Sequence, residues 1–271
     1  MLDKLETELK IRGFSQKTVD SYLLHNQQFL NFTKKQPEQV EEQDIKNYLA
    51  YLISDKKYKP RSVNLALSSL KFFYHNILNK KIIENIKPPK LDKKIPTVLT
   101  NDEVKALLNV LENPKHKILI SLMLSSGLRV SEAVSVKVDD INFNDKTLIV
   151  RSGKGNKDRI TIISEKLLED IKAYLEKRKD KNPYLFSIRD THVTIKLAQK
   201  IIKQAATNAN LNKRIYCHAL RSTFATNLLN NGVNLRYIQA LLGHANLSTT
   251  EIYTQVSTEE LKKIKNPLDL L

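Results

Sequence analysis

Two short motifs in the sequence place arginine where it could bind an anion. In GLRVSE, Arg129 follows an apolar stretch and a glycine, so we expect its guanidinium at the edge of a buried element. In HALR, His218 and Arg221 are three residues apart and share one helix face. Two guanidinium groups could bind one phosphate, because their planar donors match its oxygens. The structural alternatives are an ion pair between Arg129 and Glu132 and a polar pair packed on a loop.

Two further motifs could supply a proton donor and a nucleophile. Lys154 lies in SGKGNKD, a glycine-rich run in which a mobile ammonium suits phosphate contact or proton donation. The run lacks the GxxxxGKS/T spacing of a P-loop. Tyr253 follows His244 of the LGH motif by nine residues and offers a phenolic oxygen. The structural alternatives are a solvated surface lysine and a half-buried core tyrosine.

The charge balance points to a polyanionic partner. The 271 residues include 45 Lys and Arg against 29 Asp and Glu, which leaves a net charge of +16. Such an excess favours nucleic acid first and an anionic membrane second. The longest uncharged apolar stretch, residues 118–128, is far shorter than the ~20 residues that span a bilayer. The N-terminus has acidic residues where a signal peptide is basic and then apolar, so we expect a soluble, cytoplasmic protein.

The single cysteine, Cys217, excludes an internal disulfide and a multi-cysteine metal cluster. We expect it to be a small buried hydrophobe without a redox role. The sequence suggests no set of metal ligands, and we predict neither a metal nor another cofactor.

Apolar residues at helical spacing predict four helices in residues 1–79. Gly13 ends the first helix, Ser15 suits the N-cap of the second, and Pro60 suits the first turn of the fourth. The pattern predicts a compact helical domain over residues 1–85.

A basic, proline-containing segment follows this domain. From Lys80 to Pro96 the sequence has six lysines, three prolines and no helical period, so we expect an exposed linker, which we place at residues 86–99. Thr100 then begins TNDE, a capping-box signature. It predicts the first helix of a second domain over residues 100–271.

The second domain is predicted to be mostly helical with one hairpin. Two β-rich runs, residues 147–150 and 159–163, flank the glycine-rich run. Gly232 and Gly243 suit helix C-termini. The fold class is therefore predicted to be mainly α, with two domains and a small antiparallel hairpin or sheet. Both domains carry an excess of basic residues, which suits a clamp that closes on DNA from two sides.

The motifs occur in a set order: arginine in GLRxSE, lysine in GKGxK, then HxLR, LGH and a tyrosine. In this order, and over nearly the whole chain, the sequence resembles the tyrosine site-specific recombinases of the lambda-integrase family. The resemblance assigns six catalytic residues without a substitution, namely Arg129, Lys154, His218, Arg221, His244 and Tyr253. It gives Glu132 a supporting role and makes residues 1–85 a SAM-like core-binding domain. Within the family, the short chain is most similar to the Xer type, in particular the archaeal single-recombinase form.

The resemblance implies an enzyme that cuts and rejoins DNA through a 3′-phosphotyrosine, without metal or ATP. Tyr253 is then the nucleophile, and Lys154 the general acid for the 5′ oxygen. The two arginines bind phosphate oxygens, which Lys cannot do with the same planar geometry. His218 becomes a candidate general base or phosphate orienter, and His244 a hydrogen-bond donor to the same phosphate.

The implied partners are double-stranded DNA with a specific recombination site and further copies of the chain. We expect a tetramer on two duplexes, a monomer or dimer when free, and no membrane partner. A role in chromosome partition at cell division, by resolving chromosome dimers at a dif-like site, would add a DNA translocase or a second recombinase. The amphipathic tail, residues 257–271, is expected to dock on a neighbouring protomer; the alternative is that it covers its own domain.

Other readings of the motifs stay open at this point. An integrase of a mobile element would share every motif, and a type IB topoisomerase shares the chemistry but reseals one duplex. The helical N-terminal domain and the GLRVSE form argue against the topoisomerase. A catalytically silent DNA-binding protein is disfavoured by the intact set of six. Basic residues predicted to contact further phosphates are Arg61, Arg151, Lys157 and Arg159.

Overall fold

The structure is a computed structural model that describes residues 1–91, 96–151 and 158–243. It divides into two compact units, Met1–Lys93 and Lys94–Leu271. The fold is mainly α with small antiparallel sheets, which confirms the predicted fold class. Across the described ranges, no helix is long and apolar enough to cross a membrane.

The first unit contains α1 (Leu2–Ile11), α2 (Gln16–Thr33), α3 (Glu42–Ser54) and α4 (Pro60–Phe72), which continues as a π-helical turn over Phe73–Ile77. Ser15 caps α2 by accepting a hydrogen bond from the backbone N–H of Thr18, and Pro60 opens α4, as predicted. Each helix buries its apolar side in one core, which includes Leu5, Phe29, Ile45 and Leu70.

The start of the basic, proline-containing segment is buried although its composition predicts exposure, and Ile83 lies within the predicted first domain, residues 1–85. Ile83 is only 4% exposed and packs on the core of the first unit, with Ile82 and Ile86 partly buried beside it. The lysines and prolines of the segment concealed these apolar residues. Burying a side chain such as isoleucine is worth about 1.5–3 kcal/mol, which is enough to hold the start of the segment against the helices.

The helices of the second unit are α5 (Asn101–Asn109), α6 (Pro114–Ser126), α7 (Val130–Val134), α8 (Glu165–Lys177), α9 (Ile195–Asn208), α10 (Cys217–Asn230) and α11 (Leu235–Leu242). Thr100 and Glu103 form the predicted capping box of α5. Gly243 ends α11 in the left-handed conformation, also as predicted. Helix α6 is apolar on most sides and therefore lies inside the core, where it packs against α8 and α10.

The strands of the second unit are β1 (Ile141–Asn142), β2 (Thr147–Val150), β3 (Arg159–Ile162), β4 (Ser187–Ile188) and β5 (Thr191–His192). Strands β2 and β3 form the predicted antiparallel hairpin, in a register that sets Val150 opposite Arg159. Strand β1 adds a third strand to this sheet, and β4 pairs with β5. The hairpin therefore starts and ends beside the buried end of α6, where Thr161 donates a hydrogen bond to the carbonyl of Ser126.

Candidate active site

The end of α6 sets the position of Arg129. Gly127 closes the helix with a φ of +60°, and a Cβ atom there would lie 2.3 Å from a ring carbon of Phe224. Glycine is therefore required both by the backbone conformation and by the lack of space. The chain then turns back through buried Leu128, so that Arg129 becomes the N-cap residue of α7.

Arg221 reaches the same place from α10. Its side chain is 2% exposed, an unusual degree of burial for an arginine. Nη1 donates to the carbonyl of Gly127 at 2.6 Å, and Nη2 donates to the carbonyl of Leu242 at 2.5 Å. These oxygens lie at the C-terminal ends of α6 and α11, where helix dipoles favour a cation. The two helix ends therefore fix the guanidinium in one orientation.

Glu132 joins the arginines of the site. Its carboxylate accepts hydrogen bonds from the backbone N–H and Nη1 of Arg129, both at 2.7 Å. It also accepts from Nη1 and Nη2 of Arg159, at 2.9 and 2.8 Å. Nη1 of Arg221 lies 3.9 Å away. Both the ion pair considered above and the supporting role of Glu132 therefore have a structural basis.

The charge of Glu132 is stabilised by these donors. Burial alone would raise the pKa of this carboxyl, since the side chain is only 6% exposed. Hydrogen bonds from Arg159 and from the backbone N–H of Arg129 outweigh burial and lower the pKa to about 2. The carboxylate is therefore ionised at every physiological pH and stays a permanent anchor for the arginines.

A cleft of about 780 Å³ brings three predicted residues together: Arg129, His218 and Arg221 line it. His218 lies in the first turn of α10 and opens to this cleft. The protein around it lowers the pKa of the imidazole by desolvation, and the charges of Arg221 and Arg129 lower it further. A neutral imidazole beside two guanidinium groups can accept a proton near a bound anion.

Three predicted catalytic residues, Lys154, His244 and Tyr253, lie outside the described residues, as do Lys157 and the tail at 257–271. Their neighbours in the chain are described. Strand β3 follows the run that contains Lys154, and Gly243 immediately precedes His244. The carbonyl of Gly243 accepts a hydrogen bond from Nη2 of Arg129 at 3.4 Å.

The remaining predicted phosphate contacts differ in exposure. Arg61 is exposed in the first turn of α4. Arg151 is 58% exposed and pairs with Asp140 at 2.5 Å. Arg159, by contrast, is 9% exposed and is engaged with Glu132 and with the carbonyl of Leu241. Its contacts favour a role inside the protein over the predicted contact with a phosphate.

One wall of the cleft was not predicted from the motifs; it is formed by Gln199, Lys203 and Arg214. Gln199 and Lys203 are four residues apart on one exposed face of α9, beside the buried Ala198 and Ile202. This polar face, with its i, i+4 spacing, could have predicted the wall of the cleft from the sequence. Cys217 also lines the cleft and is partly buried. Within the described parts of the chain, no cluster of three or more potential metal ligands is present.

Comparison with known proteins gives matches over both units. Residues 97–260 match the phage integrase family, and residues 1–84 match the phage integrase N-terminal SAM-like domain. The tyrosine recombinase XerA of Pyrococcus horikoshii is 38% identical, over 97% of this chain and 91% of the relative. XerD of Rickettsia bellii is 36% identical, over 96% of this chain and 94% of the relative.

Solved structures agree with these matches. The crystal structure of a XerA recombinase shares 32% identity and a TM-score of 0.57, over 97% of this chain and 95% of that one. XerH bound to difH substrate before cleavage has the same fold, with a TM-score of 0.75 and 24% identity, over 97% of this chain and 82% of that one. The chain therefore belongs to the phage integrase family and is a tyrosine recombinase of the Xer type, similar to the archaeal members.

Proposed function

We propose that this enzyme cuts and rejoins DNA at a specific site through a 3′-phosphotyrosine bond to Tyr253. The observation that carries the proposal is the cleft in which Arg129, His218 and Arg221 meet. Both guanidinium groups are held from behind by protein oxygens, so little reorganisation is needed when a phosphate enters.

In the proposed cleavage step, the phenolic oxygen of Tyr253 attacks the phosphorus atom and the bond to the 5′ oxygen breaks. His218 accepts the phenolic proton, which its lowered pKa allows because the imidazole is neutral at neutral pH. Lys154 donates a proton to the departing 5′ oxygen. The products are a 3′-phosphotyrosyl ester on one DNA end and a free 5′ hydroxyl on the other.

The charge that develops on the two non-bridging oxygens is offset by donors from the protein. Arg129 and Arg221 supply planar pairs of N–H groups, and we assign a further donor to His244. Fixed donors of this kind are typically worth ~2.7–4 kcal/mol each in a transition state. The proposed scheme therefore uses guanidinium groups for the charge stabilisation that a metal supplies elsewhere.

Rejoining reverses these steps with the 5′ hydroxyl of a second duplex as the attacking group. The energy of the broken phosphodiester is kept in the tyrosyl ester, so ATP is not required. Exchange between two duplexes uses four protomers in our proposal. Both predicted domains, residues 1–85 and 100–271, carry an excess of basic residues, and the net charge of +16 supports contact of the chain with the duplex.

We propose resolution of chromosome dimers at a dif-like site as the biological role. The relatives named XerA and XerD support this assignment. Integration of a mobile element is a second candidate, because the Tn1549 transposon integrase shares the fold with a TM-score of 0.75. Mapping trapped covalent complexes on genomic DNA distinguishes the two: one chromosomal site supports dimer resolution, and element ends support integration.

The nucleophile is tested with a nicked suicide duplex that traps the covalent complex. Wild-type protein is expected to form an adduct that mass spectrometry locates on Tyr253, and Tyr253→Phe is expected to form none. Tyr237→Phe is the matched control, since Tyr237 is an exposed tyrosine on α11. An adduct on another side chain, or equal adduct from Tyr253→Phe, would contradict the proposal.

Recombination is separated from topoisomerase activity with two distinguishable duplexes that each carry a site. Joined products between duplexes support recombination, whereas relaxed plasmid without joined products supports the type IB topoisomerase.

Removing residues 257–271 tests the proposed docking of the tail. We expect weaker synapsis and altered cleavage timing, and unchanged synapsis and timing would reject the docking.

A further inference from the structure

Arg159 has contacts that a DNA-binding surface arginine does not need. It is the first residue of β3, and its side chain is 9% exposed. Nε donates to the carbonyl of Leu241 at 2.9 Å, while Nη1 and Nη2 donate to the two carboxylate oxygens of Glu132 at 2.9 and 2.8 Å. All three nitrogen atoms of the guanidinium thus donate hydrogen bonds inside the protein. A lysine could not reproduce this fork.

These contacts connect three elements that each adjoin a residue of the proposed site. Strand β3 follows the run that contains Lys154, Glu132 belongs to α7, which begins after Arg129, and α11 ends just before Gly243. The stem of Arg159 also lies so close to Gly243 that a Cβ atom there would be 2.8 Å from Cδ. The backbone that leads to His244 therefore packs directly on the Arg159 side chain.

The pairing also determines which way Arg129 faces. Glu132 has two short hydrogen bonds to Arg129 and two to Arg159, and Arg221 is farther away at 3.9 Å. Without Arg159, a buried carboxylate would lose half of these donors. It would then attract the remaining guanidinium groups inward, because a buried charge left without partners is costly.

We propose that Arg159 is a positioning residue, which holds the Glu132 carboxylate and the end of α11 so that Arg129 and Arg221 face the phosphate. The inference rests on the proposed function. In this proposal Arg159 does not contact a phosphate. Its hydrogen bonds link β3, α7 and α11 inside the protein.

The test compares Arg159→Gln and Arg159→Lys with Arg178→Gln. Arg178, at the end of α8, is a matched control because its side chain is also buried, at 6% exposed, and donates to a carboxylate, that of Asp180, and to a backbone carbonyl, that of Tyr184, but it does not line the cleft. Duplex affinity and the single-turnover rate of adduct formation on prebound suicide substrate are measured separately. For Arg159→Gln we expect cleavage to fall by about 100-fold with little change in affinity, since small misplacements of catalytic groups have effects of that size. Arg159→Lys should recover only part of the rate, and Arg178→Gln should cleave like wild type once bound.

Two further readouts separate positioning from a general loss of structure. In a double-mutant cycle, Glu132→Gln combined with Arg159→Gln should cleave no more slowly than the slower single variant, because both changes break the same ion pair between Arg159 and Glu132. On a methylphosphonate duplex, in which a methyl group replaces one charged oxygen, the deficit of Arg159→Gln should shrink. A purely structural defect would slow both substrates equally and would overturn the inference.

The outcomes also distinguish this inference from the proposed function. Wild-type adduct together with an unimpaired Arg159→Gln overturns the inference alone. A wild-type protein that forms no adduct on a competent duplex overturns both. Additive losses in the double-mutant cycle would show that Arg159 does not act through Glu132.

Discussion

The two units of the chain differ in the exposure of their ion pairs. In the first unit, Lys10 pairs with Glu6 and Arg12 pairs with Glu8 along one exposed helix. In the second unit, the carboxylate of Glu132 is buried among arginines. Removing an ion from water costs several kcal/mol, and a hydrophobic cluster of similar volume is often as stable.

Stability alone does not explain where the second unit places its charged groups. The first unit uses isoleucine, leucine and aromatic side chains in its core, and its ion pairs add little. The second unit has an apolar core as well, yet it retains buried charge beside the cleft. A buried ion pair that a hydrophobic cluster could replace without loss of stability is expected where the protein meets a charged substrate. Four predictions sharpen this contrast, or would remove it.

The largest effect is expected from Arg221→Ala, which deprives the carbonyls of Gly127 and Leu242 of their donors. We expect the free energy of unfolding to fall by about 3–5 kcal/mol. Cleavage on prebound DNA should fall by at least ~100-fold. Urea unfolding and adduct formation measure the two effects. Arg236→Ala, at an exposed position on α11, is the stability control; equal stability of the two variants would break the contrast.

Glu132→Gln should show the second largest effect, and its size should depend on pH. The folded pKa of about 2 lies below the usual 4.5, so the stabilisation is complete above pH 4.5 and is lost as the pH falls toward 2. The shift corresponds to about 3 kcal/mol at neutral pH. Urea unfolding of wild type and variant at several pH values measures it. A stability difference that stays constant down to pH 3 would contradict the assignment.

A smaller effect is expected from protonation of His218. Its lowered pKa keeps the imidazole neutral at neutral pH, so the cleavage rate should be level there and decline only below 6.5. The decline should approach tenfold per pH unit for a single general base. His218→Gln should lose this acid limb along with most of the rate. A profile that His218→Gln leaves unchanged in shape would assign the base to another group.

The smallest effect is expected at the surface pair of the first unit. Lys10→Ala removes an exposed i,i+4 partner of Glu6, and such pairs contribute about 0.3–0.5 kcal/mol. Thermal unfolding at low and high salt measures the change, which should vanish at high salt. A loss comparable to that of Glu132→Gln would mean that the two units do not differ in how they use charge.

The local signals in the sequence were sufficient for several helix boundaries. Ser15, Pro60 and Thr100 specify helix starts through hydrogen bonds and backbone geometry within a few residues, so their positions could be predicted. Strands β1, β4 and β5 could not, because two residues show no alternation. Ile83 was hidden because lysine-rich composition suggested exposure, while burial depends on a core formed by distant helices.

The candidate site shows the same division between local and distant information. The motifs indicate the types and order of the six residues that we propose for catalysis. The proposed role of Arg159 could not be predicted in this way, because a basic side chain can either contact a phosphate or form hydrogen bonds inside the protein. That distinction requires the register that sets Arg159 opposite Val150 and the return of α11 to the same place.

The excess of positive charge around Glu132 has a practical consequence for handling the enzyme. Three guanidinium groups share one carboxylate, and Lys203 and Arg214 add further positive charge to the cleft. Sulfate or inorganic phosphate in a buffer should therefore bind in the cleft and raise the melting temperature, as any ligand of the native state does. The same anions would compete with DNA, so assays in such buffers would understate both affinity and rate.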